Sequence, residues 1–231
     1  MIKWAEMTAH DKNSTQARRS SHLSDIPSEK LSLREAQKRL TRERLITAGE
    51  AEFRIRGYNE TTAENIASSA GTSRATFYVY FKSKAEVVLE LMQRSAPDVL
   101  RAYSDLDAIT KPNPKNVRAW LRATMALWDT RRNDFTIMEQ ALANDDAVTD
   151  MWISTLANSY QVMPRTFGRL TNAKDHERAR LHLLTLQSAL ERMMYFAVIR
   201  RRPVKMDLLL DTLTIQWLAF LESTFPDTEK G

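Results

Sequence analysis

Cysteine is absent from the 231 residues, and glycine and proline are scarce, at five and seven residues. The lack of cysteine excludes disulfide bonds, thiolate metal sites and thiol nucleophiles, and it favours a reducing compartment such as the cytoplasm. So few turn-forming residues argue against a β-sandwich or β-barrel, whereas the abundant leucine, alanine, methionine, arginine and glutamate favour helices. The composition therefore predicts an all-α protein.

Two further absences limit where the chain acts and what it does. No apolar run approaches the roughly 20 residues of a membrane-spanning helix, and the N-terminal segment lacks the apolar core of a signal peptide. No HExxH-like histidine pair, glycine-rich phosphate loop or GxSxG turn occurs, and His176 and His182 do not share a helical face. We therefore expect a cytoplasmic chain with no membrane partner, no catalysis, no metal and no cofactor.

Changes in composition divide the chain into three predicted parts. Residues 1–31 are polar and lack a helical apolar period, which predicts a flexible arm that is either an inert tail or follows DNA through Arg18 and Arg19. Residues 32–95 carry short capped helices, and residues 96–231 carry longer helices rich in tryptophan and methionine. The net charge of +5 permits a polyanionic partner but does not require one.

Helix-start signals recur closely within residues 32–95. Four capping patterns are present: Ser32 with Glu35, Thr61 with Glu64, Ser73, and Ser83 with Glu86. Gly57 and Gly71 follow the first and second predicted helices, where glycine commonly ends a helix. The second and third helices are short and are joined by a turn of about three residues, which is the arrangement of a helix-turn-helix.

The third predicted helix combines an apolar face with a polar one. Phe77 and Phe81 are i, i+4 neighbours and are expected to pack against the first two helices. Arg74, Ala75 and Tyr78 share another face near the helix N-terminus, where free N–H groups favour phosphate. The pattern predicts a recognition helix that anchors through its aromatic rings and contacts DNA with its other face.

The runs TAENIA at residues 62–67 and AGTSRATFYVYFKSK at residues 70–84 closely resemble the DNA-binding signature of TetR-family regulators, over about residues 34–95. In that family's pattern, Val79 stands where a histidine or tyrosine is common. The resemblance implies phosphate contacts from Tyr78, Tyr80 and Lys84, and base contacts from Arg74, Ala75 and Thr76. The complete implied DNA interface is Thr62, Thr72, Arg74, Ala75, Thr76, Tyr78, Tyr80 and Lys84.

The second half has apolar helical faces interrupted by a few polar side chains, which fits either a core or a small-molecule cavity. Together with the family resemblance, this pattern predicts a site for a small apolar or amphipathic effector. Segments around Trp152, around Glu191 and at residues 210–217 resemble the subgroup typified by the ethionamide-resistance regulator, which implies a long aromatic-lined tunnel. The predicted ligand residues are Trp120, Thr124, Trp128, Trp152, Gln187 and Trp217.

The last two predicted helices, near residues 176–200 and 206–224, are apolar well beyond one stripe. Either they fill a single large monomer core or, as the family resemblance implies, they pair with their counterparts in a homodimer. We expect Phe220 to lie in that shared surface. The sequence thus predicts a homodimeric repressor that a ligand releases from a palindromic operator in double-stranded DNA. The alternative is an architectural or global DNA-binding protein whose second half only dimerises.

Overall fold

The computed structural model describes residues 32–223, within which every regular element is helical. The all-α prediction is confirmed for this part of the chain. The predicted N-terminal arm, residues 1–31, lies outside the described residues. The helices are α1 (Leu33–Glu60), α2 (Ala63–Ser69), α3 (Arg74–Tyr80), α4 (Lys84–Asp107), α5 (Pro114–Thr130), α6 (Arg132–Leu142), α7 (Asp146–Asn158), α8 (Pro164–Phe167), α9 (Ala173–Met194) and α10 (Met206–Ser223).

Local capping chemistry sets the first helix boundaries, with two differences from the predicted pattern. The capping box of Ser32 and Glu35 is present. The second box is formed by Thr62 with Asn65, one residue later than predicted, since Thr61 instead bonds the Gly57 carbonyl through its hydroxyl. Ser83 makes no capping hydrogen bond, and the carboxylate of its expected partner Glu86 accepts from the Lys82 amide.

α4 connects the two halves of the described chain. It runs unbroken from Lys84 to Asp107 with Pro97 inside it, so the division predicted between residues 95 and 96 falls within one helix. Its first half packs on α1, and the rest packs against α5, α6 and α7. α4 is therefore shared by both halves of the described chain.

The crossing of α1 and α4 depends on a glycine. A Cβ atom at Gly49 would lie 2.6 Å from Cγ1 of Val87, which is too close for two carbon atoms. We expect Gly49→Ala to lower the free energy of unfolding by about 1–3 kcal/mol, since overpacking outweighs the helix propensity gained. In a double-mutant cycle read by urea denaturation, Gly49→Ala should cost less in a Val87→Ala background. An equal cost in both backgrounds would contradict the close approach.

α10 places its aromatic residues inside its own subunit. The prediction for Phe220 is wrong, because its side chain is fully buried and its ring meets that of His182 in α9 at 5.2 Å. Large apolar residues are exposed elsewhere on these two helices: Leu208 and Ile215 on α10 expose 60% and 70% of their surface, and Leu181 on α9 exposes 63%. Within residues 32–223, no helix is long and apolar enough to cross a membrane.

Candidate functional site

The turn between α2 and α3 holds the recognition helix by hydrogen bonds and buried rings. Gly71 has a φ of 67°, a left-handed conformation that allows the tight turn. The Ser73 hydroxyl then caps α3 by accepting from the Thr76 amide at 3.1 Å. Phe77 and Phe81 are almost completely buried, as the i, i+4 spacing predicted. The Arg44 guanidinium donates to the Ala70 carbonyl at 2.6 Å and ties α1 to the end of α2.

Four residues of α3 form its exposed face: Arg74, Ala75, Tyr78 and Val79. The Arg74 guanidinium carbon lies 5.7 Å from the centre of the Tyr78 ring, so the ring supports the charged group. Tyr78 is 48% exposed and Val79 is 72% exposed. Val79 is not among the predicted DNA-contacting residues, yet its exposed side chain lies on the same outward surface as Ala75, one turn away.

The other predicted DNA residues lie in different settings. Thr62 is exposed and caps α2, so its hydroxyl is already hydrogen-bonded to Asn65. The hydroxyls of Thr76 and Ser73 lie 2.9 Å apart. Thr62 is exposed, whereas Thr72, Thr76 and Tyr80 are each partly buried.

Lys84 has a structural setting that its sequence position did not reveal. Its ammonium donates three hydrogen bonds, to the carbonyl oxygens of Tyr58, Asn59 and Thr61 at 2.6, 3.0 and 2.9 Å. It also lies 4.4 Å from the centre of the Tyr58 ring. Burial lowers the pKa of Lys84. Lys84 therefore joins the start of α4 to the end of α1, and its predicted phosphate contact stays a prediction.

Three of the predicted ligand residues meet at one cavity between α4, α5, α6, α7 and α9. Thr124, Trp128 and Trp152 line it, and Trp128 stacks on Phe135 with ring centres 4.1 Å apart. The space measures about 20 Å³ in this conformation, which holds no more than a water molecule or two. A larger molecule would fit there only if these rings moved apart. The complete lining is Val99, Ala102, Tyr103, Thr124, Leu127, Trp128, Phe135, Trp152, Leu190 and Glu191.

Trp120, Gln187 and Trp217 do not line this cavity but are buried in the core beside it. The rings of Trp120 and Trp217 pack edge to face at 4.7 Å, and both lie 6.3 Å from the ring of Tyr103, a cavity residue. Gln187 donates to the Ser159 hydroxyl at 2.6 Å. The Gln187 side-chain carbonyl and the Trp217 indole N–H are buried without a hydrogen-bond partner among the described residues.

A second space lies between α4, α7 and the segment that follows α7. This groove has a volume of about 320 Å³ and is more open than the aromatic cavity. Its walls carry Leu100 and Met151 together with the polar side chains of Ser154, Asn158 and Gln161. Both spaces share α4 and α7 as walls, so filling either one bears on the same two helices.

Glu191 lines the cavity but was not among the predicted ligand residues. The Trp152 indole N–H donates to its carboxylate at 3.1 Å. Burial and the nearby Glu139 raise the pKa of Glu191 to about 8, against the lowering effect of the Trp152 hydrogen bond and of Arg192. Burial also raises the pKa of Glu139, whose carboxylate pairs with Arg192 at 3.3 Å. The Glu191 carboxyl is therefore mostly protonated at neutral pH.

The raised pKa of Glu191 predicts that the free energy of unfolding depends on pH. In the unfolded chain Glu191 loses its proton near pH 4.5, whereas the folded protein keeps that proton up to about pH 8, so stability falls as pH rises between these values. Glu191→Gln keeps an acceptor for the Trp152 indole, and because it has no proton to lose, it removes this fall in stability. We expect its Tm to exceed that of the wild type by roughly 4–8 °C at pH 9, which corresponds to about 2 kcal/mol in the free energy of unfolding. At pH 5 the difference should be much smaller. Equal differences at both pH values in scanning calorimetry would contradict the shift.

Metal chemistry has no candidate site in the part of the chain that the structure describes. No group of three or more histidine, cysteine, aspartate or glutamate side chains within residues 32–223 is arranged to hold a metal ion. The titratable side chains that meet at a cavity are Tyr103 and Glu191. The candidate sites within residues 32–223 are therefore the outward face of α3 and the aromatic cavity.

Comparison with known proteins identifies the first of these two features. Residues 45–91 match the family described as bacterial regulatory proteins, tetR family. A segment of 52 residues is 36% identical to the uncharacterized HTH-type transcriptional regulator YdgC of Bacillus subtilis, and it covers 22% of this chain and 27% of that protein. The chain thus spans about a quarter of that relative. An N-terminal helix-turn-helix domain of the tetR family is present.

Solved structures extend the similarity of fold to the second half. The TetR-family repressor FadR of Thermus thermophilus, solved with lauroyl-CoA, is 23% identical with a TM-score of 0.54, over 82% of this chain and 97% of that one. A TerR/AcrR-family transcriptional regulator from Aquifex aeolicus is 17% identical with a TM-score of 0.52, over 77% and 97%. A TetR-family regulator from Streptomyces coelicolor is 16% identical with a TM-score of 0.51, over 78% and 94%. At these identities the likeness shows a shared fold.

Proposed function

We propose that this protein is a homodimeric transcriptional repressor of the TetR type, which leaves a palindromic operator when a small apolar or amphipathic molecule binds its second half. The observation that carries the proposal is the outward face of α3, where Arg74, Ala75, Tyr78 and Val79 are exposed on a helix anchored by buried rings. This is the geometry by which a recognition helix enters a major groove. The tetR-family match over residues 45–91 supports it.

Base readout is assigned to the start of α3 and phosphate contact to its surroundings. Arg74 presents a guanidinium that can donate two hydrogen bonds to guanine, while Tyr78 holds it in place and offers its own hydroxyl to a phosphate. Thr62, Thr72, Thr76, Tyr80 and Lys84 complete the proposed interface. For Lys84 the phosphate contact is secondary to the three carbonyl bonds that fix the domain.

Val79 and Ala75 give this face an apolar edge that suits the C5-methyl group of thymine. We expect replacement of one operator thymine per half-site by deoxyuridine, which lacks only that methyl, to weaken binding about 3- to 10-fold. The Val79→Ala variant should be insensitive to the same replacement. Fluorescence anisotropy with the paired duplexes measures both effects. If wild type binds every deoxyuridine duplex as tightly as the thymine duplex, Val79 has no role in readout.

Dimerisation is assigned to the outward faces of α9 and α10. Leu208, Thr212, Ile215 and Ala219 follow one exposed line on α10, and Leu181, Thr185 and Ser188 follow one on α9. Small side chains between exposed leucine and isoleucine residues allow two helices of a second copy to approach closely. Two copies then present two recognition helices to the two halves of a palindrome.

Two helices that line the aromatic cavity also hold the DNA-binding domain, which supplies the coupling. α4 contributes Tyr103 to the cavity and Lys84 to the carbonyls at the end of α1. α6 contributes Phe135 to the cavity, and its Gln140 side-chain carbonyl accepts from the Tyr58 amide at 2.7 Å. A molecule that spreads the cavity displaces these anchors, and it shifts DNA occupancy as far as it prefers the displaced state.

The effector site is assigned to the aromatic cavity and the core beside it, with Trp120, Thr124, Trp128, Trp152, Gln187 and Trp217 as its aromatic and polar residues. The unpartnered Gln187 carbonyl and Trp217 N–H offer an acceptor and a donor to a polar group of the ligand. A tunnel like that of the ethionamide-resistance regulator is the opened form of this region in our proposal. The lauroyl-CoA bound to the Thermus repressor is an example of an amphipathic ligand in the same fold.

Selection of duplexes from a random pool tests the function. The full-length protein should enrich one inverted repeat whose half-sites are about one helical turn apart. Enrichment of no sequence above background would instead favour the architectural DNA-binding alternative. The selected duplex then serves for the binding measurements described here.

A further inference from the structure

Glu191 is an acidic side chain in an aromatic cavity that contains no basic group. Its carboxylate accepts one hydrogen bond, from the Trp152 indole, and within residues 32–223 it makes no ion pair. The neighbouring Arg192 points to Glu139 instead, at 3.3 Å. Tyr103, Trp128 and Phe135 supply aromatic surface around the same space. The cavity therefore carries a potential negative charge without a counter-charge.

We propose that this cavity binds the cationic head of an amphipathic effector, a protonated or quaternary amine, with Glu191 as its counter-ion and the surrounding rings as its walls. This inference rests on the proposed function and specifies the class of its effector. Aromatic faces attract cations through their ring quadrupoles, and rings grouped around a space recognise quaternary ammonium groups. A carboxylate inside such a group of rings adds a full charge in a poorly hydrated place.

Binding of a cation is linked to loss of a proton from Glu191. The pKa of Glu191 is about 8, so at pH 7 most of the closed protein carries a neutral carboxyl there. Because a cation favours the carboxylate, its binding at pH 7 releases close to one proton, and its affinity rises about tenfold between pH 7 and pH 9. A neutral apolar ligand has no such preference and releases none.

The other titratable groups around Glu191 do not produce this release of a proton. Burial raises the pKa of the Tyr103 hydroxyl well above its ordinary value, so Tyr103 stays neutral in the same pH range. Glu139 on α6 is paired with Arg192 and does not line the cavity. Glu139→Gln is therefore the matched control, since it removes a nearby carboxylate without removing the proposed counter-ion.

Isothermal titration calorimetry with two probes of the same shape tests the inference. Benzyltrimethylammonium is the cation and neopentylbenzene its uncharged isostere, each titrated into the full chain at pH 7 in phosphate and in Tris. We expect the cation to bind at least tenfold more tightly than the isostere and to release close to one proton. Glu191→Gln should lose at least tenfold in affinity for the cation only, and Glu139→Gln should still bind the cation more tightly than the isostere.

Three results would overturn the inference. They are equal affinity for both probes, undiminished cation binding by Glu191→Gln of confirmed fold, and no cation binding at millimolar concentration. Melting curves and circular dichroism establish the fold of each variant. The selected duplex is tested with wild-type protein in a separate assay, so failure to bind DNA counts against the proposed function, whereas failure to bind the cation counts only against this effector class.

Discussion

Replacing Ile215 with aspartate is expected to separate the dimer into monomers and to weaken binding of the selected palindrome at least 100-fold. Ile215 exposes 70% of its surface within the subunit, so the change does not disturb the subunit core. In the proposed dimer the new carboxylate would be buried without a partner, which is strongly unfavourable. A monomer holds only one half-site and loses the gain from binding two linked sites. Sedimentation velocity and anisotropy measure the two effects.

Ile153 supplies the control for this substitution. It is also an exposed isoleucine, but it lies on α7 and not on the proposed interface helices α9 and α10. Ile153→Asp should remain dimeric and retain its operator affinity. A dimeric Ile215→Asp variant would place the subunit contact elsewhere. A monomeric variant with undiminished operator affinity would show that two recognition helices are not needed.

The Arg74→Ala variant should lose about 10- to 100-fold in affinity for the selected duplex and much less for random duplex, because a bidentate base contact contributes about 1–3 kcal/mol of discrimination. One operator position should become tolerant of substitution. The control is Lys82→Ala, which removes an exposed charge just beyond the recognition helix and should weaken both duplexes equally. Anisotropy titrations at several salt concentrations separate the two cases. Equal losses for Arg74→Ala on both duplexes would exclude base readout.

The DNA-binding half was predictable from sequence because its signals are local. Ser32, Ser73 and Gly71 each fix a helix boundary through hydrogen bonds or a φ angle within a few residues. The spacing of Phe77 and Phe81 alone places both rings on the inner face. The family resemblance then indicated what the opposite face does. Two details failed: the Thr61 hydroxyl donates to the Gly57 carbonyl instead of capping α2, and the Glu86 carboxylate accepts from the Lys82 amide instead of forming a capping box with Ser83.

The second half was less predictable because its contacts join distant segments. The environment of Glu191 is built by Trp152 and Glu139, which lie 39 and 52 positions earlier in the chain. In α10, apolar residues occur on nearly every face, so periodicity did not indicate whether Phe220 or Ile215 faces outward. Lys84 likewise has its partners 23–26 positions earlier, at the end of α1 and at Thr61 just after it. None of these arrangements follows from spacing along one helix.

In the proposed function, two copies of α3 bind the two halves of one operator. The direct measurement compares binding of the full-length protein to the selected palindrome and to the same duplex with one half scrambled. We expect one dimer per palindrome by titration at saturating concentration, and an affinity at least 100-fold lower for the scrambled duplex. Equal affinity for both duplexes, or for random DNA of the same length, would contradict binding by two recognition helices.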